Sequence, residues 1–304
     1  MKRRKFVSTL GAGLVGGFLP GLPPLPRLRV ERFVERWSWA MGQAVHVMVF
    51  AESEDHGLEA CALALAELRR VEARLSLFDD ASDLCELNRR AGRGGMRAGE
   101  DLRSVVAAAE RFRNQTSDAF NVAVEPLMRI WGFHPPRADV EYPDRVMYEA
   151  ALEAVATATV RLDGEAGRIE LPHRHTQLDF GGIAVGYGID RAIGVLRGAG
   201  VRRAFVDVSG DCYGLGAPPG APEGWAVRIA GTAREVRLRD AALATSSDAK
   251  TPGHIMNPAR GAPVESDQKV TVVASTAIAA DALSTGALVL GTAPDGVQAI
   301  FTPE

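Results

Sequence analysis

Cysteine is scarce in this chain of 304 residues: Cys61, Cys85 and Cys212 lie far apart and form no CxxC pair. That spacing argues against a disulfide framework and against a cysteine zinc site. Cys61 and Cys85 fall in apolar-periodic stretches and are expected in the core. Beyond Lys5 there is no block of basic residues, and the net charge is −3, so nothing supplies the positive stripe that nucleic-acid binding requires. No nucleic-acid partner is expected. After the proline-rich stretch near residue 23 there is no internal repeat, no low-complexity tract and no second apolar run long enough to span a bilayer. Walker and Rossmann glycine spacings are missing as well. With 46% hydrophobic and 24% charged residues, the composition is that of a globular protein long enough for one large domain or two lobes.

What is present begins with MKRRKFVSTLGAGLVGGFLPGLPPLP, where Arg3 and Arg4 precede Phe6, a glycine-rich apolar run and a proline cluster. The pattern resembles a twin-arginine export signal. Its apolar run is short for a spanning helix, and the glycines weaken it further. No small-x-small cleavage site stands near Leu19 to Pro26, so removal of the segment and its retention as an anchor both stay open. Residues 1–30 are therefore expected to be an export signal with a proline-rich linker, and 31–304 the folded domain. The expected location is the periplasm, with membrane contact only through a retained N-terminus. Twin-arginine export carries folded proteins, which agrees with reduced cysteines and with a cofactor loaded before export.

Along the domain, Ala44–Phe50 has strand character, and Leu58–Leu75 carries apolar residues at helical spacing. Helices are predicted at Asp101–Thr116 and Tyr148–Thr157, and a hairpin over Val160–Leu171 with its turn at Asp163-Gly164. A glycine loop from Asp179 runs into a helix that stops at Gly198 and Gly200, followed by the strand AFVDVS. Short strands are predicted at Trp225–Ile229, Glu235–Leu238 and Val270–Ala274, and a last helix at Ala277–Leu290. Helices mixed with many short strands predict an α+β fold.

Four segments carry candidate chemistry. Asp281 and Thr285 are one turn apart on the last helix, which puts a carboxylate and a hydroxyl on one face. Two hard oxygen donors suit Mg²⁺, although the spacing by itself favours an Asp near a helix start and a Thr bonded back to a carbonyl. The loop Asp179-Phe180-Gly181-Gly182-Ile183-Ala184-Val185-Gly186 leads into a helix N-terminus, where backbone N–H groups and the dipole favour a phosphate; alone it is equally a plain turn. His254 lies in the loop HIMNPARG and is placed either as a general base near neutral pH or as a surface histidine. The other histidines, His46, His56, His134, His173 and His175, show no metal-ligand grouping. Ser209-Gly210-Asp211 sits at a strand end, where it either closes a hairpin, the first reading, or presents a carboxylate to a ligand.

Taken in order, these segments resemble the ApbE family of FAD:protein FMN transferases, from about Met41 to Gly291. The resemblance rests on Met41-Gly42, LSLFDDASDLCELN, AFNVAVEPLMRIWGF, DFGGIAVGYGIDRA, VDVSGD, ATSSDA, HIMNPARGAPV and ADALSTGALVLG. It implies a T-fold-related, two-lobed α+β domain with a flavin cleft between the lobes. It further implies FAD as substrate and Mg²⁺ held by Asp281, Thr285 and the Ala184 carbonyl. Met41, Phe78, Ala119, Phe120, Asn121, Asp179 and Val185 match positions at the flavin and its phosphates, and His254 matches the histidine that activates the acceptor hydroxyl. The implied acceptor is a protein carrying a D-x-x-[ST]-G-A-[ST] segment, flavinylated on Thr or Ser with release of AMP.

Several positions depart from the family pattern. Val185 stands where a lysine is usual, Asn121 where an aspartate is usual, and Asn257 replaces the acid of the histidine block. Ser209 and Ser247 replace glycines, and the chain stops about a strand and a helix short of a typical member. Val185 and Asn121 would suit an alternative, a flavin-binding or flavin-carrier protein on the same scaffold without transfer activity.

Overall fold

The computed structural model describes residues 31–134, 142–229, 231–248 and 253–303. The twin-arginine motif and the proline-rich linker lie outside the described residues. Along the chain run β1 (Arg32–Ala40), β2 (Gln43–Ala51), α1 (Glu54–Leu75), α2 (Asp83–Arg89), β3 (Met96–Arg97) and α3 (Glu100–Gln115). A 3₁₀ turn (Val122–Val124) leads into α4 (Glu125–Ile130), followed by α5 (Arg145–Ala156), β4 (Arg161–Asp163), β5 (Arg168–Glu170) and α6 (Ala184–Gly198). Then come β6 (Arg203–Val208), β7 (Asp211–Leu215), β8 (Trp225–Arg228), β9 (Glu235–Leu238) and β10 (Ala241–Ser246). The chain closes with β11 (Met256–Asn257), β12 (Ala262–Pro263), β13 (Gln268–Ala274), α7 (Ala277–Leu290) and β14 (Ala299–Pro303).

Among the described residues the main sheet has the order β1-β2-β6-β7-β10-β13-β14, and each neighbouring pair is antiparallel. The alternation of strands decides its two faces. Val45, Val47 and Val49 of β2 point to one face with Val206 and Val208 of β6 and Ala242 and Ala244 of β10, and bury against α1 and α6 through Leu68, Ile189, Ile193 and Leu196. On the other face Phe205, Cys212 and Leu243 pack with Trp225 and Leu238 of the β8–β9 hairpin. A second large core joins α2, α3, the glycine loop and α7 through Leu87, Leu102, Phe112, Phe180, Ile183 and Leu283. An antiparallel sheet with helices gathered on one face is the α+β arrangement that the sequence predicts.

Local signals explain the helix limits. Ser53 caps α1 by accepting from the His56 N–H, so the helix starts four residues before the predicted Leu58. α7 ends at Gly291, whose φ of 70° is left-handed backbone that glycine adopts without a Cβ penalty. β1 escaped prediction because Phe33, Trp37 and Trp39 on its outward face are exposed; it is an edge strand, and Trp37 stacks on His46 of β2 with ring centroids 3.8 Å apart. All three cysteines are free and buried, as expected for Cys61 and Cys85.

Candidate active site

The site is set by how closely two helices cross. A Cβ on Gly186 would come within 2.3 Å of the Ala277 carbonyl oxygen and 2.8 Å of the Asp281 Cβ, so α6 and α7 touch only because residue 186 has no side chain. At that contact the Gly186 N–H donates to Asp281 Oδ2 at 2.9 Å, while Asp190 of α6 accepts from the N–H groups of Ala277 and Ile278. Asp190 thereby satisfies two orphan donors at the start of α7. Thr285, one turn on, exchanges a hydrogen bond with the Ser246 hydroxyl at 3.0 Å, which also meets Ser284 at 2.8 Å.

Asp281, Thr285 and Ser246 border a cleft of about 820 Å³. One wall carries Phe205, Asp207, Leu243 and Thr245 of the outward sheet face; the other carries the Ala119–Val122 turn, Gly181, Gly182 and Val185, and Asp281, Thr285 and Asp211, which stands opposite Val208 on the helix-side face, also line the cleft. Phe78, His134, Asp179 and His254 line it too. Burial pushes the Asp281 carboxyl well above the usual carboxylate range, and the charge of Asp211 adds to the effect. A buried carboxylate, a second one beside it and a hydroxyl form a cluster of oxygen donors at the start of α6. It fits a hard divalent cation such as Mg²⁺.

Of the residues that the sequence singles out, Phe78, Ala119, Phe120, Asn121, Asp179, Val185, His254, Asp281 and Thr285 line this one cleft. Asn121 also holds the local turn, its side chain accepting from the Ala123 N–H at 2.8 Å. Ala184 is the first residue of α6, two positions before the N–H that reaches Asp281. Met41 is different. It sits in the β1–β2 turn with a φ of 57°, and its side chain packs beside Gly188 of α6 and against both large cores, so it is not among the residues lining the cleft. His254 Nδ1 lies 3.7 Å from Asp248 Oδ1, and the same carboxylate oxygen accepts from the Gly253 N–H, which steadies the loop carrying the histidine.

Sequence reasoning missed two contributors and read a third, Asp211, first as part of a turn. Asp211 opens β7 after the Ser209-Gly210 turn, with φ values of 50° and 111° there, so the segment is both a turn and part of the cleft; Asp211 accepts from the Thr245 N–H. Ser246 was legible only as part of a motif. His134 overturns the statement that no other histidine has a ligand grouping: its Nδ1 lies 2.7 Å from Glu125 Oε2, and donor atoms of Glu125, His134 and Asp179 all fall within 4.8 Å of one another. Residues 125, 134 and 179 share no periodicity, so no sequence signal joins them.

The sequence model of the ApbE family matches residues 41–300. The FAD:protein FMN transferase of Salmonella typhimurium is 28% identical over 239 residues, 72% of this chain and 67% of its own. That of Treponema pallidum is 28% identical over 313 residues, 92% of this chain and 82% of its own. Among solved structures, the apo form of the flavinyl transferase ApbE of Pseudomonas stutzeri matches with a TM-score of 0.79 at 26% identity, covering 90% of this chain and 92% of that one. The ApbE protein of Thermotoga maritima matches at 0.75 and 27% identity, covering 86% and 87%.

Proposed function

Because the chain belongs to the ApbE family, we propose that it is an FAD:protein FMN transferase that moves FMN from FAD onto a Thr or Ser hydroxyl of an acceptor protein and releases AMP. The observation that carries this reading is the juxtaposition of Asp281 and Thr285 with the glycine loop at the start of α6, in a cleft that His254 also lines. The loop and the helix N-terminus suit the pyrophosphate of FAD. Asp281, Thr285 and the Ala184 carbonyl would hold Mg²⁺, which supplies charge neutralisation and orientation of the phosphates.

In this proposal the chain's own residues do the following. The cleft orients FAD so that its FMN-side phosphorus faces the acceptor hydroxyl. His254 takes the hydroxyl proton on a ring nitrogen as the acceptor oxygen forms its bond to that phosphorus. The bond from that phosphorus to the bridging oxygen breaks, and AMP leaves with the electron pair. Asp281, buried, and Asp211, half-buried, favour a cation there and disfavour stray anions. A D-x-x-[ST]-G-A-[ST] segment is the acceptor we propose. We also infer export by the twin-arginine route through residues 1–30, a reading supported by Arg3-Arg4 and the following apolar run; it places the acceptor outside the cytoplasm.

The test incubates the protein with FAD, Mg²⁺ and an acceptor domain bearing that segment, and reads the acceptor's intact mass. A gain of one FMN that disappears with EDTA and in His254→Ala is expected. Val185 and Asn121 favour one second reading, a flavin carrier on the same scaffold: tight FAD binding with no mass gain on several acceptors would establish it and overturn the transferase proposal.

A further inference from the structure

Glu125, at the start of α4, is fully buried although it carries a carboxylate. Its two oxygens are divided: Oε1 accepts from the Arg129 guanidinium at 2.6 Å, and Oε2 faces His134 Nδ1 at 2.7 Å. Asp179 is divided in the same way, since Oδ1 accepts from the Gly181 N–H at 2.8 Å while Oδ2 has no hydrogen bond among the described residues. Glu125 is thus held from outside through Oε1 and meets His134 through Oε2, while Asp179 is held through Oδ1 and turns Oδ2 to the group. Outer partners of this kind are what orient the ligands of a metal ion. His134 belongs to the same grouping, with Phe78 edge-on to its ring at 5.3 Å between centroids.

The charge state of the group agrees. Burial raises the Asp179 carboxyl above its usual range, and the positive charge of His134 opposes that rise. For His134 burial works against protonation, but the hydrogen bond to Glu125 and the charge of Asp179 outweigh it and lift the imidazole above its ordinary value. Facing His134 are Glu125, Asp179 and Arg129. Two carboxylates are therefore gathered around one imidazole, with the Arg129 guanidinium bonded to Glu125 and His254 acting on Asp179. Together with Arg129, a proton on His134 balances the two carboxylates, and a divalent ion would take that proton's place.

We propose that Glu125, His134 and Asp179 form a second divalent-metal site in the cleft, one that takes a transition ion of the Zn²⁺ class rather than Mg²⁺. The imidazole nitrogen decides the class: carboxylate and carbonyl oxygens suit Mg²⁺, whereas imidazole suits zinc and its neighbours. Three protein ligands leave one position open for water or a ligand. Zinc bonds of about 2.0–2.2 Å set tetrahedral donors roughly 3.3–3.6 Å apart, so binding draws together the donors that now lie up to 4.8 Å apart, parts Glu125 Oε2 and His134 Nδ1 from their present 2.7 Å and displaces the proton between them. This site shares no ligand with Asp281 and Thr285.

The test is calorimetric titration of chelator-stripped protein with Zn²⁺ in excess Mg²⁺, and absorption spectra with Co²⁺ as a coloured substitute. One equivalent of Zn²⁺ is expected to bind to the wild type and to Asp281→Asn alike, with affinity falling at least about tenfold in His134→Gln and in Asp179→Asn. Metal-free thermal unfolding of each variant separates loss of a ligand from loss of fold. Zinc uptake that disappears in Asp281→Asn, uptake unchanged in a folded His134→Gln, or no uptake by the wild type would each overturn the site.

Discussion

The Gly186 N–H and the Asp281 carboxylate meet at 2.9 Å, and this bond joins the glycine loop's helix to the helix that carries the proposed magnesium ligands. Gly186→Ala tests the closeness that permits it. The added methyl has backbone, not a flexible side chain, in its way, so the helices must separate. The expected outcome is a loss of about 2 kcal/mol or more in denaturant unfolding, together with weaker Mg²⁺ binding.

Asp281→Asn should act in opposite directions with and without metal. Burial raises the folded-state pKa of Asp281, so its favourable contribution is fully present below the ordinary carboxylate pKa and is lost as pH rises through the raised value. Metal-free Asp281→Asn is therefore expected to melt higher than the wild type at neutral pH. Added Mg²⁺ stabilises the wild type by about 2.7 kcal/mol at a hundred times its Kd and leaves the variant unmoved. Thermal shift against Mg²⁺ concentration at two pH values reads both effects.

Ser246→Ala removes the hydroxyl that bonds Thr285 and Ser284. The net worth of such a bond is about 1 kcal/mol. A several-fold weakening of Mg²⁺ binding is expected with little change in melting temperature, because the residue lines the cleft and is not part of a core. Mg²⁺ titration of the variant provides the check.

Arg70 bonds both Glu67 and Asp101, and its bonds hold both carboxyls below their ordinary pKa values. Depressed carboxylate values contribute stability above the unfolded-state pKa that is lost as pH falls through the folded one. Arg70→Gln should lower the melting temperature at neutral pH, and the gap from the wild type should close in acid. A gap that persists unchanged below the carboxylate range would show that the arginine acts through packing instead.

The sequence disclosed the parts whose signal is local. α7 occupies the residues that its apolar period marks, Ala277–Leu290, and the β8–β9 strands begin where predicted, at Trp225 and Glu235. The glycine loop and α6 follow from Gly181, Gly182 and Gly198 for the same reason. What stayed hidden depends on distant partners. β1 alternates exposed aromatic and charged residues, so only its pairing with β2 makes it a strand. Met41 stands in the segment order of the family, yet its backbone turns its side chain toward α6. His134 gains its meaning from Glu125 and Asp179, contributed by α4 and the glycine loop.

The central pairing of the sheet also sets a timetable. Val45 of β2 lies opposite Val208 of β6, so the first hairpin has no sheet neighbour until a ribosome has added roughly 160 further residues, about ten to thirty seconds of synthesis. During that interval Val45, Val47 and Val49 have only α1 to shield them. Pairings this remote in sequence slow folding, and the nascent N-terminal third is the stretch of this protein most in need of a chaperone.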